Sequence, residues 1–333
     1  MASENIISDL KHKKYKPVYW LEGEEPYFID EIMNFAEHNI LSESEASFNL
    51  TIFYGKETNW ADVLNACKRY PMFSDRQVVL LKEAQSMKDL DKLESYIINP
   101  LASTLFFVSH KEKKIDGKTK FAKTLKAKTE LLSTKKLQGN YLSDWAKGMI
   151  HSLGLNIDPK VLMLLIEHIG NDLSRIHNEI EKIAINLKGR TTISEDDIER
   201  YIGISKEFNV FEFQNAIGKR NFEKAIRINQ YFAANPKAAP IQMVIPTIHK
   251  FFCNAYMVFG AGTFNENEIG SVLGIANNYF VKDYIATAKS YGQQGIESIL
   301  LLLHEYNLKS IGINDKGTED ADLIKELLVK IML

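Results

Sequence analysis

The sequence predicts a multi-domain protein of mixed class, an α/β domain followed by all-α segments. Three observations predict it. Short apolar or β-branched runs recur as far as Ser133, with helical patterns between them. The strand signal then stops. From Tyr141 onward every periodic stretch has helical spacing. At roughly 150 residues per domain, the chain of 333 residues has room for two to three domains.

The strand runs are Val18–Leu21, Leu50–Tyr54, Gln77–Leu81, Thr104–Ser109 and Glu130–Ser133. They are short and mostly apolar, as strands covered on both faces must be. One helix runs from Tyr27 to about Asn39. Another starts after Asn59 as N-cap and puts Trp60, Val63, Leu64 and Cys67 on one face. A third carries Leu90, Leu93 and Ile97, and a fourth Phe121, Ala122 and Leu125. Five strands alternating with helices imply a doubly wound parallel sheet.

Gly139-Asn140 punctuates the chain. Asp158-Pro159 starts a helix with proline in its first turn, followed by Val161, Leu162, Leu165 and Ile169 as its apolar face. Gly170-Asn171-Asp172 starts the next, striped by Leu173, Ile176, Ile180 and Ile183. Ile193 to Asp197 has the form of a capping box, and that short helix ends at Gly203. Helices then follow over Phe208–Ile217, Phe222–Phe232, Pro240–Phe259, Tyr279–Ser290, Ile296–Gly312 and Ala321–Ile331. Pro246 falls inside one of them, where a kink is expected.

Composition narrows the function. With 45% hydrophobic and 25% charged residues, a globular core is available. A net charge of −2 excludes a polycation, so nucleic acid would have to meet a local patch. Cys67 and Cys253 are far apart and within helical apolar patterns, which fits reduced, buried thiols. No apolar run is long enough to span a membrane. The Met-Ala-Ser-Glu-Asn start lacks the form of a signal peptide. A cytoplasmic protein is expected. The eight histidines are scattered, and no Cys-His cluster has metal-ligand spacing, so neither metal nor cofactor is expected. Glu195, Asp196 and Asp197 sit at a helix start, where the dipole favours carboxylates without a metal.

The junction after the first strand is the most informative feature. Val18–Leu21 leads into Gly23-Glu24-Glu25-Pro26, and an apolar helix pattern begins at Tyr27. A P-loop ATPase places Gly-rich backbone, a lysine and a Ser or Thr at such a junction. Here one glycine, two carboxylates and a proline without an N–H stand instead. The strand Thr104–Ser109 runs into His110 without the acidic pair that would hold magnesium. A divergent nucleotidase is the enzyme alternative, and both absences count against it. The expectation is a protein that binds partners and has no ATPase activity of its own.

Three segments carry a family likeness. They are Val18 to Pro26, Gly170 to Lys182, and Ile193 to Asp197 together with Ile202 to Phe213. Over nearly its whole length the chain resembles the delta subunit of the bacterial DNA polymerase III clamp loader. The resemblance implies a degenerate AAA+ (RecA-like) domain without ATP binding over 1–139, a helical lid domain over 140–205 and a helical collar over 206–333. It implies a hetero-pentamer with the loader ATPase subunits and delta-prime, joined through the collar. It further implies that the first domain grips the sliding clamp (the beta subunit) and opens the ring for loading on primed DNA. Another non-catalytic AAA+-like replication adaptor is the alternative. The delta-prime family carries a zinc-binding cysteine cluster, which two separated cysteines cannot supply.

The resemblance also implies a site. The family's grip is an apolar pair between a helix and a strand, here in Tyr70-Pro71-Met72-Phe73-Ser74-Asp75-Arg76-Gln77. Met72 and Phe73 match the pair, with Met72 where the family often has leucine, and Pro71 beside them is a further clamp-binding candidate. Methionine is similar in volume and more adaptable. From the residues alone, the pair either closes the core under the corner or leaves one side chain to plug a partner's pocket. A second patch is the lysine-rich stretch from Lys111 to Lys136, in which Lys118, Lys120 and Lys123 are candidate DNA contacts. A solvated helix face is the other reading of that charge run.

Overall fold

A computed structural model describes residues 2–203, 205, 208–237, 239–274, 280–315 and 317–332. Of the motif and helix starts named above, Ile204, Lys206, Glu207 and Tyr279 lie outside the described residues. The chain divides into two units, Met1–Gln138 and Gly139–Leu333.

In the first unit the order is α1 (Ala2–Lys11), β1 (Val18–Gly23), α2 (Pro26–Asn39), α3 (Glu43–Asn49), β2 (Leu50–Tyr54) and α4 (Trp60–Cys67). Then come β3 (Gln77–Lys82), α5 (Glu94–Ile98), β4 (Thr104–Lys111), α6 (Lys120–Lys128) and β5 (Glu130–Thr134). The five strands form one sheet in the order β2-β3-β4-β1-β5, and every pairing is parallel. β1 lies between β4 and β5, with Val18 opposite Phe106 and Tyr19 opposite Glu130. Both faces of the sheet are covered, so its central strands are mostly apolar, with Glu22, Ser109 and His110 buried toward their C-terminal ends. Val18, Trp20, Val79, Leu81, Phe106 and Val108 pack with Val63 and Leu64 of α4 and Phe121 and Leu125 of α6. Tyr19 stacks on Phe107 with ring centroids 4.4 Å apart.

All five expected strands are present, each within two residues of its expected ends. In this unit two helices, α1 and α3, have no counterpart among the expected elements. The expected helix through Leu90, Leu93 and Ile97 is a 3-10 turn, Leu90–Leu93, running into the short α5. Gly23 has a structural reason to be glycine. Its φ is +130°, and a Cβ there would lie 2.3 Å from the carbonyl oxygen of Thr134.

The second unit begins with α7 (Asn140–Ser152), β6 (Asn156–Ile157), α8 (Pro159–Ile169), α9 (Leu173–Asn186), β7 (Thr192–Ile193) and α10 (Glu195–Ile202). It continues through α11 (Val210–Gly218), α12 (Phe222–Ala234), α13 (Ile241–Gly260), α14 (Glu266–Leu273), α15 (Val281–Ser310) and α16 (Asp320–Met332). The expectation of helix alone after Tyr141 is corrected here. β6 and β7 pair in parallel, Asn156 with Thr192 and Ile157 with Ile193. Two residues are too few to show a period of two, so this pair leaves no sequence signal. The later helices share one core that includes Phe213, Ile228, Phe252, Ile299, Leu303 and Leu327. The helix run continues through Pro246 without a break. Gly292 (φ 68°, ψ 169°) interrupts helical geometry inside α15, close to the expected division into two helices. Cys67 is buried as expected, whereas Cys253 is only partly buried, and both are free thiols. Among the described residues no helix is long and apolar enough to cross a membrane.

Candidate protein-binding site

The site is built from the end of α4. Asn59 starts this helix, its side-chain oxygen accepting from the backbone N–H groups of Ala61 and Asp62 at 2.9 and 3.1 Å. Val63, Leu64, Ala66 and Cys67 turn its apolar face to the sheet. The chain then leaves the helix, and its last carbonyls need donors from elsewhere. Gln77, the buried first residue of β3, supplies one. Its Nε2 lies 2.6 Å from the Arg69 carbonyl, 3.2 Å from that of Ala66 and 2.8 Å from Thr104 Oγ1. The Cys67 carbonyl accepts from the Thr104 hydroxyl at 2.9 Å and the Tyr96 hydroxyl at 3.2 Å. The corner between α4 and β3 is thereby fixed at both ends.

The turn between them is held from the other side by α3. Asn49, 3% exposed, accepts from the Met72 backbone N–H through Oδ1 at 2.7 Å. Its Nδ2 donates to the Met72 carbonyl at 2.9 Å. One turn earlier, Glu45 accepts from the Ser74 hydroxyl at 2.8 Å. Glu45 also closes a capping box with Ser42 at the start of α3. The backbone N–H of Ser42, and then the hydroxyls of Ser42 and Ser74, hold the Glu45 carboxyl down at about 2.

A turn fixed in this way presents its side chains outward. Tyr70 is 76% exposed, Met72 54% and Phe73 94%, while Pro71 is half-buried. Phe73 also adopts φ +53°, in the left-handed region that a bulky residue rarely enters. Such a conformation costs about 1 kcal/mol, and the hydrogen bonds on either side of Phe73 offset it. Two adjacent large apolar groups in water on a rigid corner are suited to docking into a partner's pocket. Of the two readings of the pair, the core-closing one does not describe this geometry. Asn49 and Glu45 are absent from the sequence-based candidates, because α3 itself has no apolar pattern to reveal it.

The loop after β1 resolves differently from its sequence reading. Glu24 is exposed, but the Glu25 side chain is 1% exposed and turned inward. It N-caps α2, accepting from the Tyr27 N–H at 3.3 Å, and one carboxylate oxygen lies 3.4 Å from Lys136 Nζ. This carboxylate occupies the helix terminus where a P-loop would hold phosphate. Glu22 is buried as well, accepting from Trp20 Nε1, the Ile115 N–H and the Ser133 hydroxyl. Asp197 closes the expected capping box with Ser194 and is bridged by Arg190. Among the described residues no group of three or more His, Cys, Asp and Glu side chains is placed to hold a metal ion.

Lys118, Lys120 and Lys123 are all exposed. On α6 the lysines at 120, 123, 126 and 128 leave Phe121 and Leu125 free to face the core. Lys120 lies 3.8 Å from Glu94, Lys111 2.6 Å from Asp30. The structure does not bring these lysines together with Met72 and Phe73 through any described contact.

A family model described as DNA polymerase III, delta subunit, matches residues 19–135, the segment that contains the sheet and this corner. Over that segment the chain is similar to the DNA polymerase III delta-subunit family. The DNA polymerase III subunit delta from Bacillus subtilis (strain 168) is 23% identical, covering 99% of this chain and 96% of that protein. A probable DNA polymerase III subunit delta from Aquifex aeolicus (strain VF5) is 20% identical over 86% of this chain and 83% of its own length. A solved structure of the Bacillus subtilis DNA clamp loader delta protein superposes with a TM-score of 0.55 at 23% identity, covering 99% of each chain. That likeness shows the same fold over nearly the whole chain.

Proposed function

We propose that this chain acts in a DNA polymerase III clamp loader, where it binds the sliding clamp through Met72 and Phe73 and opens the ring. The observation that carries the reading is Phe73 itself, 94% exposed at a left-handed φ on a turn held by buried hydrogen-bonding side chains. Burying one such side chain in a pocket stabilises a complex by roughly 1.5–3 kcal/mol. A solvent-facing phenylalanine held in an unfavourable backbone conformation has no evident role in the isolated fold. The turn lies within the segment that matches the delta family.

On this reading the work is mechanical, not hydrolytic. The Glu25 carboxylate supplies α2 with the anion that a nucleotide phosphate would otherwise provide. The energy of ATP then enters through the loader ATPase subunits, which this chain joins. Residues 140–205 serve as lid and 206–333 as the collar that holds those subunits and delta-prime. Lys118, Lys120 and Lys123 supply phosphate contacts to primed DNA within the assembly.

The test uses a clamp labelled with a self-quenching fluorophore pair across one ring interface. Addition of this chain alone, without ATP, raises the fluorescence if it opens the ring. An unchanged signal with a chain that co-elutes with the clamp reduces the role to binding. No co-elution overturns the reading.

A further inference from the structure

The exposed pair does not hold its own backbone in place. Both polar backbone groups of Met72 are satisfied by one side chain, Asn49, with N–H to Oδ1 at 2.7 Å and Nδ2 to carbonyl at 2.9 Å. Asn49 is buried, and its Nδ2 is also 3.1 Å from the Glu45 carbonyl, so its amide plane is fixed within α3. It is the last residue of α3, immediately before β2. Its orientation is therefore set by helix and sheet together. Asparagine is suited to this role because its amide offers a donor and an acceptor side by side, matching the N–H and C=O of one residue.

We infer that Asn49 is a positioning residue for clamp binding, holding Met72 and through it Phe73 in the geometry that enters the clamp. The inference rests on the clamp-binding reading above. Asn49 itself does not touch the clamp; it removes the need to order the turn on association. Aspartate would keep the acceptor and lose the donor. Alanine would lose both and leave the Met72 backbone to water. Serine would retain a single hydroxyl.

The experiment measures two things on the full chain, wild type beside Asn49→Ala and Asn49→Ser. One is affinity for the purified sliding clamp. The other is amide hydrogen exchange at Met72, with the β3 amides of Val79 and Leu80 as a control for the domain. The expected result is at least tenfold weaker clamp binding and at least tenfold faster exchange at Met72, with β3 protection unchanged. Clamp affinity within twofold of wild type, with Met72 exchange accelerated, overturns the inference. So does unchanged exchange at Met72. Loss of β3 protection in both variants also overturns it, since Asn49 would then be supporting the domain and not the turn. A wild-type chain that fails to bind the clamp defeats the functional reading instead, and the exchange arm still reports whether Asn49 holds the turn.

Discussion

Gln77 Nε2 lies 2.6 Å from the carbonyl oxygen of Arg69, so the first residue of β3 caps the end of the helix that precedes it. The same nitrogen reaches Ala66 and Thr104. Gln77 is buried, and its removal would strand carbonyls that water reaches poorly. Leaving a buried polar group without its partner costs about 1–3 kcal/mol. Gln77→Ala is therefore expected to lower unfolding stability by about that amount in urea denaturation. Because it loosens the base of the turn, it should also weaken partner binding. A stability equal to wild type would mean the helix end finds other donors.

Glu25 and Glu24 are adjacent carboxylates with opposite fates. Glu25 is buried as the cap of α2, and Glu24 is exposed. Glu25→Ala should cost about 1 kcal/mol, the usual loss for an N-cap. Glu24→Ala should stay within about 0.5 kcal/mol of wild type, as exposed substitutions do. Equilibrium denaturation of both variants decides it. Equal effects would contradict the assignment of Glu25 as the internal anion.

Glu45 makes the turn sensitive to acid. Its folded pKa is held at about 2 by the Ser42 backbone N–H and the Ser42 and Ser74 hydroxyls, below its ordinary 4.5. A depressed carboxyl pKa adds stability that is fully present above the ordinary value and is lost as pH falls from about 4.5 toward 2. Ser74 should thus remain tied to Glu45 at neutral pH and be released only in that acid window. Glu45→Gln should flatten this part of the stability–pH curve. An unchanged acid limb would place the sensitivity elsewhere, with Asp197 the next candidate, since Arg190 and Ser194 hold its carboxyl at about 2.

The exposed lysines of the first unit give a prediction in salt. If Lys118, Lys120 and Lys123 meet phosphates, charge reversal of all three should weaken DNA binding by the assembled loader. It should also reduce the dependence of log affinity on log salt by roughly one for each phosphate the protein no longer neutralises. A variant with unchanged affinity and slope would assign this face to solvent.

Much of the sheet can be read from the sequence because buried parallel strands are continuous apolar runs. Val18–Leu21 and Thr104–Ser109 are such runs, short and rich in aromatic and β-branched residues. The exposed pair is reached by resemblance. Its exposure does not follow from the residues, since Met72 and Phe73 have the composition of core. The support around the pair is what the sequence conceals. α3 is short and polar, Glu-Ser-Glu-Ala-Ser-Phe-Asn, with no apolar stripe, so periodicity is silent. Its capping box, Ser42 with Glu45, is the one available signal. By sequence, Glu25 reads as one of two carboxylates that stand where a P-loop would cradle phosphate. Turned inward, it lies 3.4 Å from Lys136, more than a hundred residues away in sequence, and no local pattern carries that pairing.

The central claim is that Met72 and Phe73 are the grip. The most direct measurement is titration of the sliding clamp with wild-type chain and with the Met72→Ala/Phe73→Ala variant, each checked by circular dichroism and thermal unfolding. Both residues are exposed, so the variant should fold with near wild-type stability. Truncated anchors commonly cost about 2 kcal/mol or more each, so clamp binding should fall at least several hundredfold, beyond detection for a micromolar complex. A folded variant that binds the clamp as wild type does would contradict the account.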